Sequence, residues 1–247
     1  MSYPDNSRVP ISNNVADFIL PVCNLGHDKD GNVVAETAKL VGTCFLIGSR
    51  GFALTAAHVL HQVDNDIARV LVPDGAGSWD ACLIRTGQVH PTEDVGILKI
   101  ELPKPIVSPI TFAPDEPPPS AEYNMWAYPE VIAQEVQYHG LPAGSLDFNP
   151  SAVYFRGYLR RKLPYSPNPS FDMYVGKHFY EVSEIAGSCC SGAPLSTMET
   201  HPKVFAIYIG EEDKTRRCGY ATNLLKVRDW VPEMLGKRIC DEANPHA

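Results

Sequence analysis

The stretch "APDEPPPSA", residues 113–121, divides this sequence in two. Each of its four prolines fixes φ and lacks an N–H for a sheet ladder, and Asp115 and Glu116 add charge. The segment therefore cannot be a central strand and is predicted to be a connector running over the surface. On its N-terminal side lie short apolar segments rich in β-branched residues: FILPVCNL (18–25), KLVGTCFLIG (39–48), GFALTAA (51–57), RVLVP (69–73), DACLIRTG (80–87) and DVGILKI (94–100). On its C-terminal side come MWAYP (125–129), EVQYHG (135–140), SAVYFRGYL (151–159), DMYVGKHFYEVS (172–183), VFAIYIG (204–210) and CGYATNL (218–224). Gly, Pro, Asn and Asp separate these segments, which is the pattern of an all-β protein.

Two sets of about six strands joined by one Pro-rich connector predict two closed antiparallel barrels, an arrangement that removes exposed sheet edges. The expected units are 1–115 and 116–247. One helix is predicted near the C-terminus, where Leu224, Val227, Val231 and Leu235 fall on one face and Pro232 ends or kinks the turn.

The net charge of −8 over 247 residues gives no general attraction to phosphate backbones or anionic lipid surfaces, so neither nucleic acid nor a membrane is expected as a partner. The basic clusters Arg160-Arg161-Lys162 and Arg216-Arg217 read as solvated loops. Seven cysteines, an odd number without regular spacing, exclude a complete disulfide framework. The polar start MSYPDNSRVPISNN does not read as a secretory signal, and no 18-residue apolar run is present to span a bilayer. Together these features predict a soluble, cytoplasmic protein with free thiols.

Three fragments hold residues suited to chemistry. In "LTAAHVLH" (54–61), His58 follows an apolar strand and can leave a barrel wall for a cleft, with His61 as its competitor. In "TEDVGILKI" (92–100), Asp94 precedes a strand and, if buried beside His58, would hold the imidazole in one tautomer. In "GSCCSGAPL" (187–195), Gly192 and Ala193 allow a tight turn that presents Ser191 and aims backbone N–H groups at one point. Each fragment alone has an ordinary structural explanation: a loop histidine, a solvated strand start, a Ser-Gly turn. Adjacent Cys189 and Cys190 lack the spacing of a zinc pair, so no metal and no other cofactor is expected.

Taken in order, "GTCFLIGSRGFALTAAHVL" (42–60), "EDVGILKI" (93–100) and "SGAPL" (191–195), followed by "VFAIYIG" and "CGYATNL", resemble the three signature blocks of the trypsin/chymotrypsin-like serine peptidases. They are most similar to the high-temperature-requirement branch found in bacteria and organelles. The resemblance spans residues 39 to about 235 and implies the double barrel, with a peptide or protein as substrate. It further implies His58 as general base, Asp94 as its orienting carboxylate and Ser191 as acylating nucleophile. The backbone N–H groups of Cys189 and Ser191 would form the oxyanion hole.

By the same resemblance Ile185 lies at the base of the primary substrate pocket, Gly219 lines a wall, and Ile209, Gly210 and Glu211 form the edge that pairs with substrate. Ile185 then favours an apolar substrate side chain, whereas Glu211 or Glu212 turned inward would attract Lys or Arg. Two departures stand out. Cys189 replaces the usual glycine, and Cys190 replaces the acid that latches a zymogen-derived N-terminus in trypsin itself, so that mode of activation is not expected. A thiol brake at Cys189 or Cys190 and a catalytically silent, peptide- or protein-binding barrel pair are the alternatives that Cys189 raises. No peptide-binding domain follows residue 240, so the oligomer-forming parts of the high-temperature-requirement proteases are expected to be missing, and the oligomeric state stays open.

Overall fold

A computed structural model describes residues 14–26, 39–64, 66–74, 79–130, 150–167, 175–211 and 218–244. Among these described residues, thirteen strands and two short α-helices follow in chain order: β1 Ile19–Asn24, β2 Lys39–Ile47, β3 Phe52–Thr55, α1 Ala57–Gln62, β4 Ala68–Pro73, β5 Trp79–Val89, β6 Gly96–Ile100, β7 Thr111–Phe112, β8 Glu122–Ala127, β9 Val153–Leu163, β10 Phe179–Val182, β11 Pro194–Ser196, β12 Lys203–Glu211, β13 Gly219–Asn223 and α2 Ile239–Ala243.

The first six strands close on themselves in the order β1-β2-β3-β6-β5-β4. The second sheet runs β11-β8-β9-β10-β13-β12, and pairing of β11 with β12 closes it into a second six-stranded antiparallel barrel, with β7 added in parallel along β12. The Pro-rich segment forms no strand and joins β7 to β8, as its lack of donors requires.

Strand burial explains which elements face the partner barrel. In β9 the residues Tyr154, Arg156, Tyr158 and Arg160 are exposed at alternate positions, the pattern of a strand with one face in solvent. In β2 every residue after Lys39 is buried, so both faces of this strand are covered. One face fills the first barrel; the other meets α1 and the second barrel. A Cβ added at Gly42 would lie 2.7 Å from the Val59 side chain and 3.1 Å from the Ser191 carbonyl. That close approach requires a glycine where helix, strand and the turn carrying Ser191 converge.

Polar contacts also cross between the barrels. The Tyr128 hydroxyl donates to the Ile19 carbonyl (3.0 Å), and Glu93, buried beside Asp94, lies 3.0 Å from His178 Nδ1 while accepting from Lys177 N–H (3.1 Å). Helix α2 lies against the first barrel: its Glu242 accepts from Arg50 in the β2–β3 turn (2.8 Å).

Three expectations change. The helix predicted over residues 224–235 is a 3-10 turn at Leu224–Lys226, capped by the Asn223 side chain; the helix that packs on a barrel is instead α2. Leu224, Val227 and Leu235 are buried as predicted, but Val231 is 53% exposed. A residue before proline avoids the helical region, so Val231-Pro232 breaks the turn that the apolar spacing suggested. The sixth strand of the second barrel is β11, hidden within the SGAPL turn. EVQYHG (135–140), like Glu212 and Arg216-Arg217, lies outside the described residues. Arg160, Arg161 and Lys162 belong to β9 rather than a loop, and they pair with Glu181 and Glu116.

Among the described residues no helix is long and apolar enough to cross a membrane, and no group of three or more potential metal ligands occurs.

Candidate active site

β3 ends at Thr55, and the chain turns at once into α1, whose second residue is His58. The loop before β6 carries Asp94 against it. Asp94 Oδ1 accepts the His58 backbone N–H (3.0 Å) and Oδ2 lies 2.7 Å from His58 Nδ1, with both side chains at most 5% exposed. A carboxylate at Nδ1 can only accept, so the ring carries its proton on Nδ1 and presents an Nε2 lone pair. His61 is exposed at the end of α1 and makes no comparable pair.

Ser191 sits on the turn between Gly187 and β11. Its carbonyl accepts from Thr43 N–H (2.8 Å), which fixes it against the first barrel beside α1. Its hydroxyl donates to the Ile209 carbonyl (3.2 Å) rather than to His58. Gly192 follows at φ +95°, where an added Cβ would fall 1.8 Å from the Thr43 carbonyl oxygen.

Cys189 adopts φ +68°, a left-handed conformation that disfavours a side chain by about 1–2 kcal/mol. Backbone ties oppose that strain. The Ser188 carbonyl accepts from Glu130 N–H (3.0 Å), and the Cys189 carbonyl accepts from Thr43 Oγ1 (3.0 Å). Because the 188–189 peptide is trans, a carbonyl directed at Glu130 turns the Cys189 N–H the opposite way. The N–H groups of Cys189 and Ser191 donate to nothing among the described residues.

Thr43 therefore holds the turn at three points: its N–H, its hydroxyl and its carbonyl, which accepts from Thr55 Oγ1 (2.7 Å) and packs on Gly192. Sequence reasoning missed this residue, although it lies inside the quoted 42–60 block, because its partners are remote in the chain.

Both thiols of the turn are packed. Cys189 Sγ donates to the Leu40 carbonyl (3.2 Å) and Cys190 Sγ to the Ala186 carbonyl (3.1 Å). Burial pushes the Cys189 thiol up to about 12 and raises Cys190 as well. A thiol held protonated is a poor nucleophile and a slow target for oxidants, so the geometry gives a thiol brake little support.

The residues expected around a substrate pocket lie on neighbouring segments of the second barrel. Ile209 is a bulge residue in β12, between the Tyr208–Ala221 and Gly210–Tyr220 pairs, and its carbonyl faces Ser191. Gly210 follows at φ +137°. Glu211 pairs with Gly219, which is buried at the start of β13. Ile185, which follows the Glu184 carbonyl packed against Gly219, is 37% exposed.

The sequence profile of the trypsin-like peptidase domain matches residues 42–201. Similar solved structures include the Rv3671c protease of M. tuberculosis in its active form (18% identity, 86% of this chain and 78% of that one, TM-score 0.58). An inactive form of Rv3671c carrying a serine-to-alanine mutation is also similar (18% identity, 92% of each chain, TM-score 0.57). The MamO protease domain of Magnetospirillum magneticum shares the fold at 11% identity (90% and 99% covered, TM-score 0.60). No curated protein matches this chain.

Proposed function

Because this chain belongs to the trypsin-like peptidase family, we propose that it is a serine endopeptidase in which Ser191 attacks, His58 moves the proton and Asp94 orients His58. The observation that carries this reading is the buried His58–Asp94 pair, 2.7 Å apart, whose His58 lies on the helix that packs beside the Ser191 turn.

The reaction follows from these groups. Rotation of the Ser191 side chain exchanges the Ile209 carbonyl for His58 Nε2. As Oγ adds to the scissile carbonyl, His58 takes the hydroxyl proton and Asp94 stabilises the imidazolium. The oxygen of the tetrahedral intermediate lies between the N–H groups of Cys189 and Ser191; one such donor is worth roughly 10²- to 10³-fold in rate. Protonation of the leaving amine by His58 gives the acyl-enzyme, and water, deprotonated by the same imidazole, releases the acid.

The hydrogen bond from Ser191 to Ile209 favours a second reading, a silent barrel pair that binds peptide or protein without cleaving it. Treatment with a small fluorophosphonate followed by peptide mapping separates the two. One phosphonyl group per chain, on Ser191, is expected. A folded protein that stays unmodified would sink the peptidase reading and favour the binding module.

A further inference from the structure

We infer that Tyr208 fills the primary specificity pocket and limits the substrate residue before the scissile bond to small side chains. This rests on the peptidase reading, because the pocket is defined by a substrate carbonyl placed on Ser191.

Tyr208 is bolted to the nucleophile turn by its own backbone. Its N–H donates to the Ala193 carbonyl (2.8 Å) and its carbonyl accepts from Gly192 N–H (2.8 Å). The next residue, Ile209, offers the carbonyl that Ser191 now holds, so a substrate strand lying along residues 209–211 passes directly beside the Tyr208 position.

A side chain hanging from that strand at the reacting residue has three walls: the segment 184–189 leading to Ser191, the strand edge at Ile209, and the start of β13 at Gly219. The Tyr208 phenol occupies the space between them. Its hydroxyl accepts from Ala186 N–H (3.1 Å), which ties the ring tip to the wall opposite its own strand. Across the pocket, a Cβ added at Gly219 would lie 2.7 Å from Tyr208 Cε2, 3.0 Å from its hydroxyl and 2.4 Å from the Glu184 carbonyl. Gly219 is therefore needed to make room for the ring, and little space remains for a substrate side chain.

The ring is not a movable lid. Tyr208 is fully buried, and swinging it out would leave the Ala186 N–H without a partner in an apolar setting. Cys190, also fully buried, closes the space below Ala186 with its thiol on the Ala186 carbonyl. A methyl-sized group fits such a cleft; a leucine, phenylalanine or lysine side chain meets the ring. The exposed Ile185 agrees with this, since a deep pocket would have buried it.

The test compares kcat/KM for peptides differing only at the residue before the cleaved bond, with small-fluorophosphonate labelling of Ser191 run in parallel. The wild type is expected to favour Ala over Leu, Phe and Lys by 10-fold or more, within the range that a few methylenes supply in an apolar pocket. Tyr208→Ala is expected to raise Leu and Phe at least 10-fold relative to Ala. Tyr208→Phe, which keeps the ring and loses the Ala186 bond, is expected to retain the preference for Ala and covers the case in which Tyr208→Ala does not fold. Labelled wild type that prefers Leu or Phe would overturn the filled pocket alone. A preference for Lys would overturn it in favour of Glu211. Absence of both labelling and cleavage would overturn the peptidase reading, and the pocket with it.

Discussion

Asp94→Asn is expected to lower kcat about 10⁴-fold at neutral pH with little change in thermal stability. The carboxylate now accepts from both the His58 backbone N–H and Nδ1. An asparagine can keep only one of these as an acceptor. With its oxygen on the backbone N–H, its amide nitrogen faces Nδ1 and donates to it, which drives the ring proton to Nε2. An Nε2–H cannot take the Ser191 proton, so the nucleophile is not activated although the shape of the site is kept. Steady-state kinetics on the best peptide, together with a melting curve, check this. A loss of less than 10-fold would remove Asp94 from the mechanism.

Gly192→Ala should be the most damaging of the glycine-to-alanine changes among the described residues. Its φ of +95° is costly for any side chain, and the new Cβ would fall 1.8 Å from the Thr43 carbonyl and 2.3 Å from Thr55 Oγ1. The obstacle is largely backbone, in the centre of β2, and cannot swing aside. Relief requires moving the turn away from the first barrel, which breaks the 2.8 Å bond from Thr43 N–H to the Ser191 carbonyl. A destabilisation of about 4 kcal/mol or more is expected, lowering Tm by roughly 8–16 °C in a chain of this size, with activity lost. Gly187→Ala is the control. It shares the left-handed conformation, at φ +84°, but nothing lies within 4 Å of its added Cβ. Only conformational strain of about 1–2 kcal/mol is expected there. Equal effects at the two positions would show that the crossing of β2 and the nucleophile turn is not as tight as described.

The contrast between these two glycines shows what a sequence holds and what it hides. The Pro-rich divider and the alternation of β-branched segments are local patterns, legible because their physical cause lies within a few residues, whereas the His58, Asp94 and Ser191 fragments each have an ordinary local explanation and were joined only by their order through the family resemblance. β11 was not legible, because three residues inside a Ser-Gly turn have no periodicity to read. The helix over 224–235 failed for the opposite reason: apolar spacing was present, but Val231-Pro232 outweighed it. Thr43 and Tyr208 lay hidden because their roles depend on partners far along the chain. Thr43 reaches Cys189, a separation of 146 residues, and Tyr208 reaches Ala186 across the second barrel. The Ser191 hydroxyl likewise meets the Ile209 carbonyl at the β12 bulge, 18 residues further along the chain, which no local pattern announced.

The left-handed Cys189 is the point at which local preference and tertiary structure disagree most plainly. A glycine would adopt φ +68° without strain, yet the chain places a thiol there and holds it through carbonyls tied to Glu130, Thr43 and, by way of Ser191, Thr43 again. Two N–H groups are left aimed away from those ties. In the proposed reaction these are the donors assigned to the charge that develops on the substrate oxygen.

The most direct test of the central claim is rapid mixing of the protein with an activated ester of a small acyl residue, followed by acid quenching within milliseconds and intact-mass and peptide analysis. The account predicts one acyl group per chain, bound to Ser191, appearing before steady turnover and absent from Ser191→Ala. An acyl group on Cys189 or Cys190, or turnover with no adduct on a folded chain, would contradict it.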